Sequence, residues 1–101
     1  MKFKRDLAKG VMTIALDGEL DENSARETRE YLDDSVRNYR FGRMVLDFGG
    51  VEFMDSTGIG VLLGRYNIIK SSGAELCVTN VNEQIDKVFR ISGLYQIIKA
   101  V

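Results

Sequence analysis

Two hydroxyl side chains directly follow an aspartate near the middle of the chain. Asp55, Ser56 and Thr57 lie between the apolar pair Phe53-Met54 and a segment whose apolar residues recur at helical spacing. We therefore expect Ser56 at the N-cap of a helix, with its hydroxyl close to the surface. The carboxylate of Asp55 is favourable there, near the positive end of the helix dipole. The chemistry that this pattern could support is that of an exposed hydroxyl at a helix start.

Two glycines occupy the first turn of this expected helix. Gly58 and Gly60 leave the turn without side chains, and each lowers helix stability by about 1 kcal/mol relative to alanine. Close packing against a neighbouring strand is one explanation. Access of a protein or nucleotide to the Ser56 hydroxyl is the other, and the sequence leaves both open.

Histidine is absent from the chain, which excludes several kinds of active site. Ser-His-Asp catalysis, Cys-His catalysis, the metalloprotease motif and nearly all zinc sites need histidine. Ser56 therefore has no base that would activate it as a nucleophile. The single cysteine, Cys77, lies in an apolar run and is expected to be a small buried side chain in a strand.

Phosphate- and nucleotide-binding loops fit the glycines poorly. A phosphate-binding loop needs lysine after its last glycine, but Val61 follows Gly60. A dinucleotide-binding loop needs a third glycine where Leu63 stands. A receiver domain is a rival of another class, although the short chain and the position of the second strand argue against it. Its phosphoryl acceptor would be Asp47, with a supporting set formed by Asp17, Glu19, Asp21 and Lys99.

The remaining hypothesis is that Ser56 is a substrate hydroxyl. Phosphorylation adds about 1.5 to 2 negative charges and three acceptor oxygens. Within the chain, we expect free backbone N–H groups at the helix start to tolerate this anion. A partner packed over the glycine turn would not tolerate it, because bulk, desolvation and repulsion from Asp55 all act at that contact. The sequence therefore predicts a switch in binding rather than in folding.

Length and composition set wider limits. The chain has 101 residues, enough for one domain, 1–101, with a modest core. Its formal net charge of -1 arises from scattered charges of both signs, which argues against nucleic acid as the main partner. No segment has the length of a membrane span, and no apolar stretch follows the charged N-terminus. We therefore expect no membrane association and a cytoplasmic location.

Hydrophobic patterning predicts alternating strands and helices in the first half of the chain. A strand pair is expected at 2–7 and 11–16, followed by a turn at 17–21. Ser24 and Glu27 are spaced as a capping box that starts a helix, and Gly42 is expected to stop it. A central strand at 44–48 should be broken by Gly49-Gly50.

The same pattern continues in the second half. The helix that starts at Ser56 should be followed by a strand at 75–79 and by a short helix capped by Asn80 and Glu83. Gly93 should stop that helix before a last strand at 94–99. This order predicts an α/β domain with a mixed central sheet of about four to five strands and helices packed against it.

The central segment resembles the signature of a known family. Phe53-Met54-Asp55-Ser56-Thr57-Gly58-Ile59-Gly60, followed by Leu63-Gly64-Arg65-Tyr66, is similar to the motif of anti-sigma factor antagonists, small proteins of the STAS domain family. Gly18-Glu19-Leu20-Asp21 and Ile91-Ser92-Gly93-Leu94 also match, so the resemblance covers nearly the whole chain. Gly64-Arg65-Tyr66 is most similar to the sporulation branch, and the general-stress antagonists are close.

This resemblance implies a partner-switching regulator of transcription rather than an enzyme. An antagonist of this family binds an anti-sigma factor that is also an ATP-dependent serine kinase, and so releases the sigma factor. The kinase phosphorylates the hydroxyl that corresponds to Ser56, the phosphorylated form dissociates, and a metal-dependent serine phosphatase restores binding. The resemblance implies no cofactor, and we expect the free protein to be a monomer.

The resemblance also assigns contacts to particular residues. Asp21 should contact the kinase. The docking surface around Ser56 should be framed by Asp55, Thr57, Gly58, Ile59 and Gly60. Thr57 stands where many relatives have a second serine, so it is a minor alternative acceptor.

Two points stay open. Family domains usually have a further helix after the last strand, whereas this sequence ends at Val101; either that segment has been lost or one face of the sheet is less covered. The alternative function is a STAS scaffold module in a stress-signalling assembly, without a phosphorylation switch.

Overall fold

A computed structural model describes residues 1–101 as a five-stranded sheet with three α-helices. This arrangement confirms the predicted α/β class. The elements in chain order are β1 Lys2–Ala8, β2 Val11–Leu20, α1 Ala25–Asn38, β3 Arg43–Met54, α2 Ser56–Ser71, β4 Glu75–Thr79, α3 Glu83–Ser92, a 3-10 turn Leu94–Gln96 and β5 Lys99–Ala100.

The strands lie in the order in which the chain forms them, from β1 to β5. β1 and β2 form an antiparallel pair, and every later neighbour is parallel. Parallel crossovers are right-handed almost without exception, so crossovers that all step in one direction place their helices on one face. One core cluster of 20 residues accordingly joins all three helices to a single face of the sheet. The strand residues in it include Met12, Ile14, Leu16, Met44, Leu46, Phe48, Leu76 and Val78.

The opposite face of the sheet carries no helix. Val45 and Cys77 are opposite each other on it and are buried, although neither belongs to the core cluster. An ion pair between Arg43 Nε and Glu75 Oε1, 2.9 Å apart, lies two residues earlier along both strands and therefore on the same face. Burial, followed by the hydrogen bond to Glu75, raises the pKa of the Cys77 thiol to about 11. The predicted buried position of Cys77 in a strand is confirmed.

Two strands are longer than predicted. The expected turn at 17–21 is wrong for its first four residues, because β2 continues to Leu20. The expected break at Gly49-Gly50 is also wrong, because β3 runs through both glycines to Met54. The register shifts between Ala15/Asp47 and Asp17/Gly50, so β3 contains an extra residue there. A Cβ on Gly50 would lie 2.8 Å from Leu16 O, so glycine allows the bulge and does not end the strand.

The start of α1 differs from the predicted capping box. Ser24 is the N-cap, but its hydroxyl does not cap the helix. Instead, Ser24 Oγ donates to Glu19 O at 2.5 Å and accepts from Asp21 N at 3.2 Å. Glu27 pairs with the N-terminal ammonium group at 2.8 Å. Ser24 and Glu27 therefore link the start of α1 to β2 and to the N-terminus, and they do not form a capping box.

Of three predictions for the last quarter of the chain, one is confirmed and two are wrong. Gly93 ends α3 with φ 80°, as predicted. The helix is capped by Asn82, whose side chain accepts from Ile85 N at 2.8 Å, and not by Asn80. The predicted strand at 94–99 is largely a 3-10 turn, and β5 has two residues. Leu94 and Ile98 of this segment lie in the core although neither is in a strand. In sequence, this apolar pattern resembles that of a short strand.

An ion pair whose arginine is buried links α1 and α2. Arg65 Nε on α2 lies 2.9 Å from Asp33 Oδ1 on α1. The Arg65 side chain is 10% exposed, so α1 and α2 hold this charge between them. None of the helices is both long and apolar enough to cross a membrane.

Candidate functional site

The loops that follow β2 and β3 lie side by side at one edge of the sheet. Leu20 and Met54, the last residues of these strands, are register partners, and Asp55 N donates to Leu20 O at 3.4 Å. Asp21 and Asp55 are the next residues, so the structure brings together two acidic residues that are far apart in sequence. One oxygen of Asp21 accepts from the backbone N–H groups of its own loop, which fixes the half-buried side chain.

Asp55, rather than Ser56, is the N-cap of α2. Its Oδ1 accepts from Thr57 N at 2.9 Å and from Gly58 N at 3.2 Å. A carboxylate is a strong N-cap and is also stabilised by the helix dipole, which explains why the cap and the helix start lie one residue earlier than predicted. The expectation of free N–H groups for a phosphate is therefore wrong for Thr57 and Gly58.

Ser56 is the first residue of α2 and its side chain is exposed. No hydrogen bond within the chain holds its hydroxyl, whereas neighbouring donors are taken by Asp55. Thr57 is half-buried. Of the two hydroxyls, that of Ser56 is the more accessible to a second protein.

The two glycines of the first turn have different structural reasons. A Cβ on Gly58 would lie 2.5 Å from Met54 Cγ and 2.7 Å from Leu20 O, so the helix packs directly on the strand ends. A Cβ on Gly60 would meet nothing within 4 Å, and Gly60 is exposed. The packing explanation applies to Gly58, and Gly60 leaves an open surface beside Ser56.

The exposed face of α2 carries no charge over most of its length. Seven residues make about two helical turns, so Leu63 lies on the same side of the helix as Ser56. Gly60 and Asn67 lie on this side too, and Ile59 flanks it half-buried. Leu63 is 41% exposed. By contrast, the exposed side chains of α1 include Arg26, Glu27, Arg29, Glu30, Asp34 and Arg37, and those of α3 include Glu83, Lys87 and Arg90.

Acidic residues surround this uncharged face on the side of the strand ends. Residues 10–25 and 44–64 contain no lysine or arginine. Glu19 and Asp21 share an open depression of about 450 Å³ with Glu27 and Glu52. The surface around the start of α2 therefore consists of small or apolar residues along the helix and of carboxylates beside it.

Two exposed residues of this surface were not among the predicted contacts. Phe53, 41% exposed, precedes the aspartate, and Leu63 follows the glycine turn. The seven-residue spacing between Ser56 and Leu63 was a usable signal, since it places both on one helix face. For Phe53 the sequence offered no such signal, because exposure at a strand end depends on which neighbours pair with it.

Asp47 lies within β3 and not at a strand end. Its Oδ1 accepts from Gly49 N at 2.8 Å and from Asn80 Nδ2 at 3.0 Å. The chain contains no group of three or more acidic or cysteine side chains placed to hold a metal ion. The acidic cluster that a receiver domain needs around Asp47 is therefore not assembled.

Comparison with known proteins gives consistent matches. Residues 3–101 match the model of the STAS domain. The chain is 36% identical over 97 residues to an anti-sigma F factor antagonist of Paenibacillus polymyxa, covering 96% of this chain and 83% of that protein. It is 35% identical over 85 residues to an anti-sigma-B factor antagonist of Bacillus subtilis, covering 84% of this chain and 76% of that protein.

A solved structure agrees with the fold. The phosphorylated form of the Bacillus cell fate determinant SpoIIAA superposes with a TM-score of 0.74 at 25% identity, covering 99% of this chain and 91% of that one. The sigma F and sigma-B antagonists match at nearly equal identity, so the sporulation branch stays a prediction. The match to the domain model over nearly the whole chain, together with relatives above 30% identity, shows that this chain belongs to the STAS domain family.

Proposed function

We propose that this protein is an anti-sigma factor antagonist whose binding is switched off by phosphorylation of Ser56. In this function it binds an anti-sigma factor that is also a serine kinase, and the bound sigma factor is released. The two relatives named as antagonists support the class of partner. The protein acts by binding, in the cytoplasm, and itself catalyses no reaction.

One observation carries this proposal. The exposed hydroxyl of Ser56 stands at the start of the helix whose outer face is uncharged. Leu63 and Ile59 supply apolar area beside the open position at Gly60, where another protein surface can approach closely. An exposed apolar strip on an otherwise charged small domain is typical of a protein-binding surface.

The modification is a phosphoryl transfer from ATP. Ser56 Oγ attacks the γ-phosphorus, the bond from that phosphorus to the bridging oxygen breaks, and ADP leaves. The hydroxyl proton passes to a base, which the kinase must supply because the chain has no histidine and Asp55 is engaged as the cap. A phosphatase later hydrolyses the Ser56 phosphate ester with water.

Phosphorylation would end binding through local electrostatics. The added charge is about 1.5 to 2 units, and it would stand among carboxylates rather than cations. Any partner that packs over Gly60 and Leu63 must cover this group and remove its water, which costs free energy unless a new cation pairs with it. The unphosphorylated form is therefore the binding form.

The test combines intact mass with a binding assay. The protein is incubated with ATP, magnesium and a candidate anti-sigma factor kinase from the same genome. We expect one added phosphate, none in Ser56→Ala, and one in Ser71→Ala, which removes an exposed hydroxyl from the opposite end of the same helix. The purified phosphorylated form should lose affinity for the kinase.

Two outcomes would change the assignment. A phosphate that persists in Ser56→Ala and disappears in Thr57→Val would move the acceptor to Thr57. Tight binding without any phosphate in the parent protein would favour a STAS scaffold in a larger assembly.

A further inference from the structure

The carboxylate of Asp55 already occupies the position where an anion would bind at the start of α2. Its Oδ1 holds the N–H groups of Thr57 and Gly58, at 2.9 and 3.2 Å. The N–H of Asp55 itself is bonded to Leu20 O. The donors of the first turn are thus used within the chain, apart from the N–H of Ser56 itself.

The segments around Ser56 offer no lysine or arginine in place of these donors. The N-terminal ammonium group, which lines the same depression as Asp21 and Glu52, is paired with Glu27 at 2.8 Å. The loop after β2, the end of β3 and the first half of α2 fall within residues 10–25 and 44–64, which lack lysine and arginine. The nearest arginine along α2, Arg65, is buried against Asp33. The titratable side chains that these segments contribute near the strand ends are Asp17, Glu19, Asp21, Glu22, Glu52 and Asp55.

We propose that the Asp55 carboxylate keeps the phosphate of phosphorylated Ser56 away from the helix start. The two anions repel each other, and the phosphate faces solvent. This inference rests on the proposed phosphorylation of Ser56. Two adjacent anions compete for the same N–H groups, and Asp55 is held there by two hydrogen bonds. The phosphorylated form is consequently less stable than the unphosphorylated form, and its phosphate is open to a phosphatase.

The experiment needs no kinase, because phosphoserine can be installed at position 56 by genetic code expansion. The second pKa of the phosphate is then followed by phosphorus NMR in the parent and in Asp55→Asn. Asparagine is an equally good N-cap and keeps an oxygen for the Thr57 and Gly58 N–H groups, so the variant removes the charge and retains the cap. Glu52→Gln is the matched control, since Glu52 is exposed and is not bonded at the helix start.

We expect the second pKa of the phosphate to be about 0.5 to 1 unit higher in the parent than in Asp55→Asn. Glu52→Gln should change it less. Phosphorylation should lower the Tm of the parent by about 2 to 6 °C and leave that of Asp55→Asn nearly unchanged. The amide signals of Thr57 and Gly58 should stay near their unphosphorylated positions in the parent.

A phosphate that displaces Asp55 would overturn the proposal. In that case the second pKa in the parent would equal or lie below that in Asp55→Asn, the phosphorylated parent would melt no lower, and the Thr57 and Gly58 amide signals of the parent would move. These amide signals decide the question even if the variant folds poorly. Failure of a kinase to modify Ser56 would instead count against the proposed function, and the two failures are therefore distinguishable.

Discussion

Gly58 and Gly60 should respond in opposite directions to one added methyl group. The substitutions Gly58→Ala and Gly60→Ala are chemically identical and lie two residues apart in the first turns of α2. They differ in what the new Cβ meets. At Gly58 it meets Met54 and the backbone of Leu20, and at Gly60 it meets open space.

The magnitude follows from two opposing contributions. Replacing glycine by alanine in a helix stabilises it by about 0.5 to 1 kcal/mol, and Gly60→Ala should show this gain alone. At Gly58 the added carbon would lie 2.7 Å from Leu20 O, a backbone atom that cannot move aside cheaply, as well as 2.5 Å from Met54 Cγ. Overpacking of this kind costs about 1 to 3 kcal/mol, and contact with backbone places Gly58→Ala near the upper end. The expected net loss for Gly58→Ala is about 2 kcal/mol.

Urea unfolding followed by circular dichroism measures both values, with thermal unfolding as the second readout. Gly60→Ala should raise the Tm by about 2 to 6 °C, and Gly58→Ala should lower it by about 8 to 15 °C. The m-value should stay unchanged, since neither substitution alters the surface exposed on unfolding. A Gly58→Ala protein as stable as the parent would refute the close packing of α2 on the strand ends.

Gly60→Ala also separates stability from docking. If this open position admits the surface of a partner, the variant should bind the anti-sigma factor more weakly while being more stable when free. A variant with unchanged affinity would show that Gly60 lies outside the contact. The comparison is clean because the substitution leaves Ser56 and its cap in place.

Three further predictions concern side chains away from α2's first turn. Burial raises the pKa of Cys77 to about 11, so at pH 8 the native thiol should react with a disulfide reagent about 100-fold more slowly than the thiol of the protein unfolded in urea. Burial and the hydrogen bond to Asp86 raise the pKa of Tyr95 to about 12. The neutral phenol therefore stabilises the fold below pH 10 and this contribution is lost as the pH rises towards 12, so the stability of Tyr95→Phe should fall less steeply there. Asp33→Ala should cost about 1 to 3 kcal/mol in urea unfolding, less than for a fully buried pair because Asp33 is partly exposed, and Arg65→Met in that background should recover part of it.

Elements that depend on local sequence were predictable. The strand Glu75–Thr79 has its predicted bounds, and α2 begins within one residue of the predicted start. In both cases short-range features decide the outcome. The strand is a short apolar run, and the helix has a capping side chain directly before its apolar pattern. The identity of the cap, Asp55 instead of Ser56, could not be fixed because both residue types are good caps.

Elements that depend on pairing with distant residues were not predictable. Residues 17–20 look like a charged turn, but they form strand because β3 continues beside them. Gly50 looks like a breaker, but the bulge that it permits keeps β3 in register with Asp17. In each case the partner strand supplies hydrogen bonds that local propensity does not contain.

The site shows the same division between local and long-range information. The exposed hydroxyl of Ser56 could be predicted because its environment is set by the next few residues. The acidic surroundings could not be predicted, because they form only when two segments without lysine or arginine, 10–25 and 44–64, are brought together. Parallel pairing places the ends of β2 and β3 at the same edge and so gathers Asp21 and Glu52, which are 31 residues apart in sequence.

This gathering also constrains how a partner can bind. A surface that approaches Ser56 along α2 meets small and apolar side chains, whereas one that approaches from the strand ends meets carboxylates. A docking surface that satisfies both must place apolar area over Leu63 and cations or hydrogen-bond donors towards Glu52 and Asp21. Those partner cations would also be the groups that a phosphate on Ser56 could attract, so their distance from Ser56 decides whether phosphorylation weakens or strengthens binding. Release on phosphorylation requires them to face the acidic edge and to stay out of reach of the Ser56 hydroxyl.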